Sequence, residues 1–374
     1  VKIERIDTYV AHNWMFVEVT TDTGLKGVGE STFFGFPDAT ALVADSFGKR
    51  LIGEDPSRIE YHYLSLYRAY SMRGMAIGGA LSALDQALWD IKGKHYQAPV
   101  WDLLGGRVRD KVRAMLVIPY GTAEEVAAAC KKAANEGYTA LKVMVYQPEH
   151  HLMAFGAKVK DMVERIALIR ETVGWDVEIG IELHRNMALG ESIAAIREFE
   201  QFRPLFVEDP IPPDSVLSFG EVAQKSRVPM AAGERNTTIW EFREYVEHGG
   251  VHHIRPDVGI AGGITGTRKI CALAEAHHQG VIPHAVPSGP VATAAQVQLG
   301  FAIPNWEVTE HMVQDSAPWT KAVKAIVPVI NGHWLPNETP GLGVELDHEG
   351  LKTIPVIAKV GETNLKTDGS VAFR

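Results

Sequence analysis

Leu205-Phe206-Val207-Glu208-Asp209-Pro210 is an apolar run that ends in two carboxylates and is stopped by a proline. A strand covered on both faces is almost wholly apolar, so this stretch reads as a buried parallel strand that carries Glu208 to a loop-bearing edge, where ligands gather. Similar runs flank it: Val177 to His184 carries Glu182, and Pro229 to Glu234 ends in Glu234, each acid 26 residues from Glu208. One strand, one helix and two short loops need about that length, so the three glutamates hold equivalent places on successive β/α units. Further steps of 23, 27 and 26 residues reach Asp257 in His253-Ile254-Arg255-Pro256-Asp257, His284 in Val281-Ile282-Pro283-His284, and Glu310 in Trp306-Glu307-Val308-Thr309-Glu310. Any one of these would pass for an ordinary surface residue. Together, in phase at apolar strand ends, they predict side chains converging at one end of a repeated array.

The 374 residues suit a closed α/β barrel of about 250 residues with a smaller domain. A net charge of -9 and the lack of a Lys/Arg run leave no basic face for nucleic acid, and an acidic protein that meets an anionic substrate needs local positive charge, which points to a bound cation. Cys130 and Cys271 lack metal-type spacing and read as reduced core thiols of a cytoplasmic protein. The chain opens directly into a strand pattern, without a signal-like segment, and no stretch approaches a membrane span.

Residues 1–111 do not follow the repeat. Strand patterns at 1–10, 15–20 and 25–30, with a turn at Asp22-Thr23-Gly24, precede helical patterns at 38–50, 56–70 and 75–94, which together predict a small α+β capping domain. The barrel is expected over 112–311, with strands at 112–119, 139–145, 177–183, 205–208, 229–233, 252–256, 280–283 and 306–309. Helices are expected near 123–136, 157–173, 190–201, 215–225, 239–248, 264–279 and 290–301. An open doubly wound sheet could use the same elements, but it concentrates chemistry at a switch point rather than at six consecutive strand ends. Residues 312–374, rich in Gly, Pro and short apolar runs, are expected to return and complete the capping domain.

Glu182, Glu208 and Glu234 offer only hard oxygen donors, which suits Mg²⁺ better than zinc. The competing reading is a salt-bridged acid cluster, disfavoured because no matching bases accompany the three acids in the pattern. Asp257 and His284 end neighbouring strands, so the carboxylate can hold one ring nitrogen and raise the basicity of the other, which makes His284 the expected general base. Strand alternation places His184 on the same face as Glu182, either beside the metal, ligating it, or in a solvated loop. Lys142 is a barrel-interior lysine that could neutralise a substrate carboxylate or act as a spare base. Arg235 could contact substrate hydroxyls or pair with an acid such as Asp209. Trp14, in His12-Asn13-Trp14, could cap the pocket and touch substrate, or pack the cap on the barrel. His150-His151 reads as a solvated loop.

With these motifs in hand, the chain resembles the enolase superfamily, mandelate racemase subgroup, and within it the acid sugar dehydratases of the galactonate dehydratase type. The resemblance rests on Ala83 to Lys94 with Leu103-Leu104-Gly105-Gly106, on Phe206-Val207-Glu208-Asp209-Pro210, on Ala232-Gly233-Glu234-Arg235 and on Ala261-Gly262-Gly263-Ile264-Thr265. It implies a capped, modified (β/α)7β TIM barrel that binds Mg²⁺, and a homo-oligomer is expected. It further implies that Glu310, if protonated, donates a hydrogen bond to a developing enediolate, and that His184 assists departure of a β-hydroxyl. Two departures stand out: Lys142-Val143-Met144 replaces the Lys-x-Lys of racemases, and Glu182 stands where aspartate is common. The expected activity is therefore dehydration of a sugar acid to a 2-keto-3-deoxy acid. A racemase or epimerase using Lys142 or His184 as second base is the alternative enzyme, and a catalytically silent barrel serving as a binding module is the alternative of another class.

Overall fold

The computed structural model describes all residues except 33–35, 70, 286, 358–360, 362 and 374, so the last residue of the expected 56–70 helix and parts of the expected 312–374 return lie outside the described residues. Strands β1 (Ile3–Ala11), β2 (Trp14–Thr21) and β3 (Lys26–Ser31) form an antiparallel sheet. Helices α1 (Pro37–Leu51), α2 (Ile59–Arg68) and α3 (Met75–Tyr96) follow, and the short α4 (Val100–Leu103) leads to the barrel. Strand β3 lies flush on α3 because Gly27 and Gly29 have no side chain: a Cβ there would meet the carbonyl oxygens of Ala87 and Ala83 at 2.0 and 1.8 Å.

Helix α3 is buried on most of its circumference, and its polar residues are spent on the barrel. Ser82 Oγ accepts from Gly262 N and Gly263 N at 2.9 and 3.0 Å, Asp85 accepts from Thr265 N at 2.9 Å, and Trp89 Nε1 donates to Thr265 Oγ1 at 2.9 Å. These residues cap, from another domain, the N-terminus of a barrel helix that lacks a side-chain cap of its own. Burial pushes the Asp85 carboxyl up to about 7, against the pull of its bonds from Thr265 and Ile264. Above the unfolded acid's value of 3.8 and below about 7, the folded protein holds a proton that the unfolded chain has released, so stability falls as pH rises through this window. Asp85→Asn should flatten urea-unfolding free energy between about pH 5 and pH 7 by roughly 2 to 3 kcal/mol relative to wild type. An unchanged slope would show that this carboxyl is not the titrating group.

The barrel follows as β4 (Val112–Ile118), α5 (Ala123–Asn135), β5 (Ala140–Met144), α6 (Phe155–Val173), β6 (Glu178–Glu182), α7 (Leu189–Phe199), β7 (Phe206–Glu208) and α8 (Val216–Lys225). It continues with β8 (Met230–Ala232), α9 (Ile239–His248), β9 (His253–Ile254), α10 (Gly263–Ala276), β10 (Gly280–Val281), α11 (Pro290–Ala302) and β11 (Thr309–His311). From β4 to β10 each strand pairs in parallel with the next, β11 pairs with β4, and Trp306 bridges to Val281 on β10, so the ring closes as a (β/α)7β barrel. The eighth strand, expected at 306–309, is divided: Trp306 serves β10, and Thr309–His311 serves β4. Helix α10 stops at Ala276 rather than 279 because His278 adopts a φ of 56° and Gln279 N turns back to Ala274 O. A small apolar group of Met115, Ala140, Phe206, Ala231, Ile282 and Val308 fills the barrel interior and forms a floor.

After the barrel, β12 (His333–Trp334) pairs antiparallel with the start of β4. The chain then runs along the cap, where Gly341 exchanges backbone bonds with Ala98 and Val100, Leu342 N donates to Asp90, and His348 meets Glu18 at 3.1 Å. Both cysteines are buried and unpaired, and burial pushes the Cys130 thiol up to about 12. Among the described residues no helix is long and apolar enough to cross a membrane.

Candidate active site

The C-terminal ends of adjacent strands bring three acids together. Glu182 ends β6, Glu208 ends β7 and Glu234 lies just beyond β8; all three are buried, and each offers an oxygen within 4.8 Å of the others. The expectation of unmatched acids is corrected by the structure. Lys142 Nζ on β5 lies 3.0 Å from Glu182, 2.8 Å from Glu208 and 3.1 Å from Glu310. Arg255, wholly buried, pairs with Glu208 and Glu310 and donates to Ile282 O at 3.0 Å. Arg185 pairs with Glu234 and reaches Asp209 at 3.3 Å.

Five carboxylates, those of Glu182, Glu208, Asp209, Glu234 and Glu310, thus face the permanent cations of Lys142, Arg185, Arg235 and Arg255, while Asp257 pairs with His284. The excess is negative, and the titrating groups respond accordingly. Burial pulls the Lys142 ammonium down but Glu208 and Glu182 outweigh it, so the lysine is raised. Glu208 is raised by burial and by Glu182 despite Arg255 and Lys142, and Asp209 is raised well above its ordinary value by burial and by Glu234. Glu234 behaves oppositely: burial works upward, but His284, Arg185, Arg235 and Lys142 hold it well below the usual carboxylate range. Clustered, buried hard oxygens carrying surplus negative charge fit a divalent, oxygen-seeking cation.

His284 lies on the loop after β10 and bonds through Nδ1 to Asp257 Oδ2 at 2.8 Å. Asp257 is itself oriented by Gly259 N at 2.7 Å. The other ring nitrogen, Nε2, points into the acid cluster, 3.4 Å from Glu234. His184 follows β6, four places from β10 in the ring of eight strands, so the two histidines stand on opposite sides of the barrel mouth. Alternation is not what places His184, because the strand stops at Glu182 and His184 and Arg185 adopt left-handed φ of 53° and 67°. That turn lets His184 N donate to Glu182 at 2.7 Å and fix the acid. Burial, aided by Arg185, pushes the His184 ring down to about 3, so it stands as a neutral imidazole near neutral pH.

The remaining candidates take more definite places. Glu310, a hydrogen-bond donor only if protonated, lies in ion-pair contact with Lys142 and Arg255. Lys142, expected as a spare base or a partner for substrate, lies within ion-pair distance of three carboxylates. Arg235 is partly exposed and lies 3.0 Å from Glu234, while it is Arg185 that takes Asp209. Trp14 is completely buried and donates to Pro287 O at 2.8 Å, a contact of cap on barrel. His150 is not solvated: it is buried, bonded to Asp161 at 2.9 Å and accepting from Gln147 N.

Sequence reasoning missed Arg255 and Arg185. Arg255 stands two residues before Asp257 in a strand pattern, so inward alternation was its available signal. Arg185 lies beyond its strand in a left-handed turn and carries no such signal.

Comparison with known proteins accords with this architecture. Residues 5–105 match the mandelate racemase/muconate lactonizing enzyme N-terminal domain, and residues 125–350 match the enolase C-terminal domain-like family. Among curated proteins, the D-galactonate dehydratase of Cronobacter sakazakii is 36% identical over 358 residues, covering 93% of each chain. That of Variovorax paradoxus is 34% identical over 360 residues, covering 94% of this chain and 93% of its own. Among solved structures, an enolase from Agrobacterium radiobacter bound to Na and L-malate superposes with a TM-score of 0.95 at 29% identity, covering 100% of both chains. Two matched domains that together span cap and barrel, with similarity along nearly the whole chain, establish that this protein belongs to the enolase superfamily, in its mandelate racemase/muconate lactonizing enzyme branch, and is similar to the galactonate dehydratases.

Proposed function

We propose that this chain is a hydro-lyase that dehydrates an acid sugar, an aldonate or related hydroxy acid, to its 2-keto-3-deoxy acid. The observation that carries the reading is the histidine–aspartate dyad aimed at a buried three-carboxylate cluster. Support for the substrate class comes from the D-galactonate dehydratases to which the chain is similar. Glu182, Glu208 and Glu234 would hold Mg²⁺, which when bound would supply the positive charge that offsets charge building on the substrate carboxylate. His284 Nε2 takes the α-proton while Asp257 holds the Nδ1 proton and the ring orientation. The electron pair left on the α-carbon then forms the α,β double bond, the β-carbon–oxygen bond breaks, the hydroxyl leaves with a proton as water, and the enol becomes the 2-keto acid. His184 is the donor for that hydroxyl. Because its ring is neutral here, the anionic substrate beside it must raise its basicity before it can deliver a full proton. We further assign residues 1–111 and 312–374 to the capping unit and 112–311 to the catalytic barrel.

One observation favours the epimerase alternative: a neutral His184 opposite His284 could serve as a second base, whereas Lys142 is held as an ammonium. Incubation with a panel of aldonates differing in hydroxyl configuration, with detection of 2-keto acids, separates the readings. Keto acid should form from one or a few members, stop on chelation and return with Mg²⁺. Inversion of the α-carbon without keto-acid formation would overturn the dehydratase.

A further inference from the structure

Glu30, at the end of β3 in the cap, is completely buried and lies far from the acid cluster in sequence and role. Its carboxylate accepts from Gly289 N at 2.5 Å, from Val291 N and Ala292 N at 3.0 Å each, and from Thr32 Oγ1 at 3.2 Å. The three amides belong to the first turn of α11, a wholly buried helix without a side-chain cap of its own, so a strand of the cap supplies the missing acceptor. The fit is close: a Cβ on Gly289 would lie 2.8 Å from both Glu30 oxygens.

The segment between β10 and α11 carries His284, and it is tied at successive carbonyls. Gln296 on α11 donates to His284 O at 2.7 Å, Trp14 to Pro287 O at 2.8 Å, and Gln314 and Trp319 to Ser288 O at 3.3 Å each. Trp14 and Glu30 come from adjacent strands of one sheet, β2 and β3. Gln296 lies on the helix whose first turn Glu30 grips. A shift of that turn would therefore move both ends of the His284 loop.

We propose that Glu30 is a positioning residue for the proton-abstracting histidine: by holding the N-terminus of α11 it fixes the loop on which His284 sits, and it makes the cap part of the catalytic alignment. The inference rests on the reading of His284 as base. Among the described residues the Glu30 carboxylate bonds to the first turn of α11 and to Thr32 and not to the acid cluster, so its loss should act on turnover and not on binding.

Glu30→Gln keeps the shape but turns an amide NH₂ toward backbone donors. It should lower kcat by about 10- to 10²-fold, the scale of a misplacement near 1 Å, with KM and Mg²⁺ affinity within about twofold of wild type. Exchange of the substrate α-proton with deuterated water should fall in parallel. Wild-type kcat and exchange, even with a lower melting temperature, would overturn the proposal and leave Glu30 a structural cap. If Glu30→Gln does not accumulate as folded protein, Thr32→Val removes a single bond to the same carboxylate and should show the same split at about 3- to 10-fold; wild-type kcat there would overturn the proposal equally. His284→Asn run alongside separates the two levels. If it stays active, the base reading itself fails; if it is inactive while Glu30→Gln turns over normally, only the positioning role fails.

Discussion

Glu208→Gln should leave the barrel folded and weaken Mg²⁺ binding by more than the 10- to 100-fold typical of losing an outer partner of a metal site. The ground for an intact fold is the redundancy around the lost charge. Lys142 keeps Glu182 and Glu310, and Arg255 keeps Glu310 and the carbonyl of Ile282, so neither buried cation is stranded. The ground for the affinity loss is charge. Glu208 lies between Glu182 and Glu234 in the strand order, and without it the surplus of carboxylates over permanent cations shrinks, so the remaining field is closer to balanced by the protein's own lysine and arginines. Calorimetric titration with Mg²⁺, paired with thermal unfolding, measures both effects. Unchanged affinity would remove Glu208 from the ligand set, and a collapsed fold would show that the acid's pairing with Arg255 is chiefly structural.

What could be read from the residues, and what could not, divides along a physical line. The barrel strands are apolar runs closed by a polar residue, and that contrast recurs at nearly constant spacing because every β/α unit spans similar dimensions; Glu182, Glu208, Glu234, Asp257, His284 and Glu310 announce themselves through this rhythm. The cations answer to other rules. Arg255 follows strand alternation but is a base within a rhythm marked by acids, and it pairs with Glu310 inside the barrel. Arg185 and His184 sit in a left-handed turn, where neither strand nor helix period applies. The seam between cap and barrel was least legible. Glu30 and Gly289 are 259 residues apart, and Asp85 and Thr265 are 180, and no local pattern marks an acid as the cap of a helix in another domain.

The same seam bears on how substrate recognition and proton transfer are linked. In this fold the acids that would hold the ion stand on barrel strands, while the loop that carries His284 is gripped by Trp14 and Glu30 from the cap and by Trp319 and Gln314 from the returning chain. Metal affinity and base alignment therefore depend on different contacts. A variant at the seam should separate them, whereas a variant such as Arg255→Met, which removes a cation bonded both to Glu208 and to Ile282 O, should disturb both together.

His284→Asn should abolish both dehydration and exchange of the substrate α-proton with deuterated water, whereas His184→Asn should lose only dehydration. The asymmetry follows from position. His284 Nε2 faces the acid cluster with its other nitrogen fixed by Asp257, so asparagine removes the imidazole proposed to accept the α-proton. His184 stands across the ring on β6's trailing turn, and in the proposed mechanism it serves the leaving hydroxyl and not the first step. Without it, elimination should fall by about the 10² to 10⁴ of a lost general acid, while the enediolate still forms and is reprotonated from His284. Exchange then persists where product does not, provided the proton on His284 trades with solvent faster than substrate leaves. NMR of the α-proton during incubation with each variant makes the measurement. Loss of exchange in His184→Asn with its retention in His284→Asn would reverse the two assignments, and inversion of the α-carbon by wild type without elimination would make the opposed histidines the two bases of an epimerase.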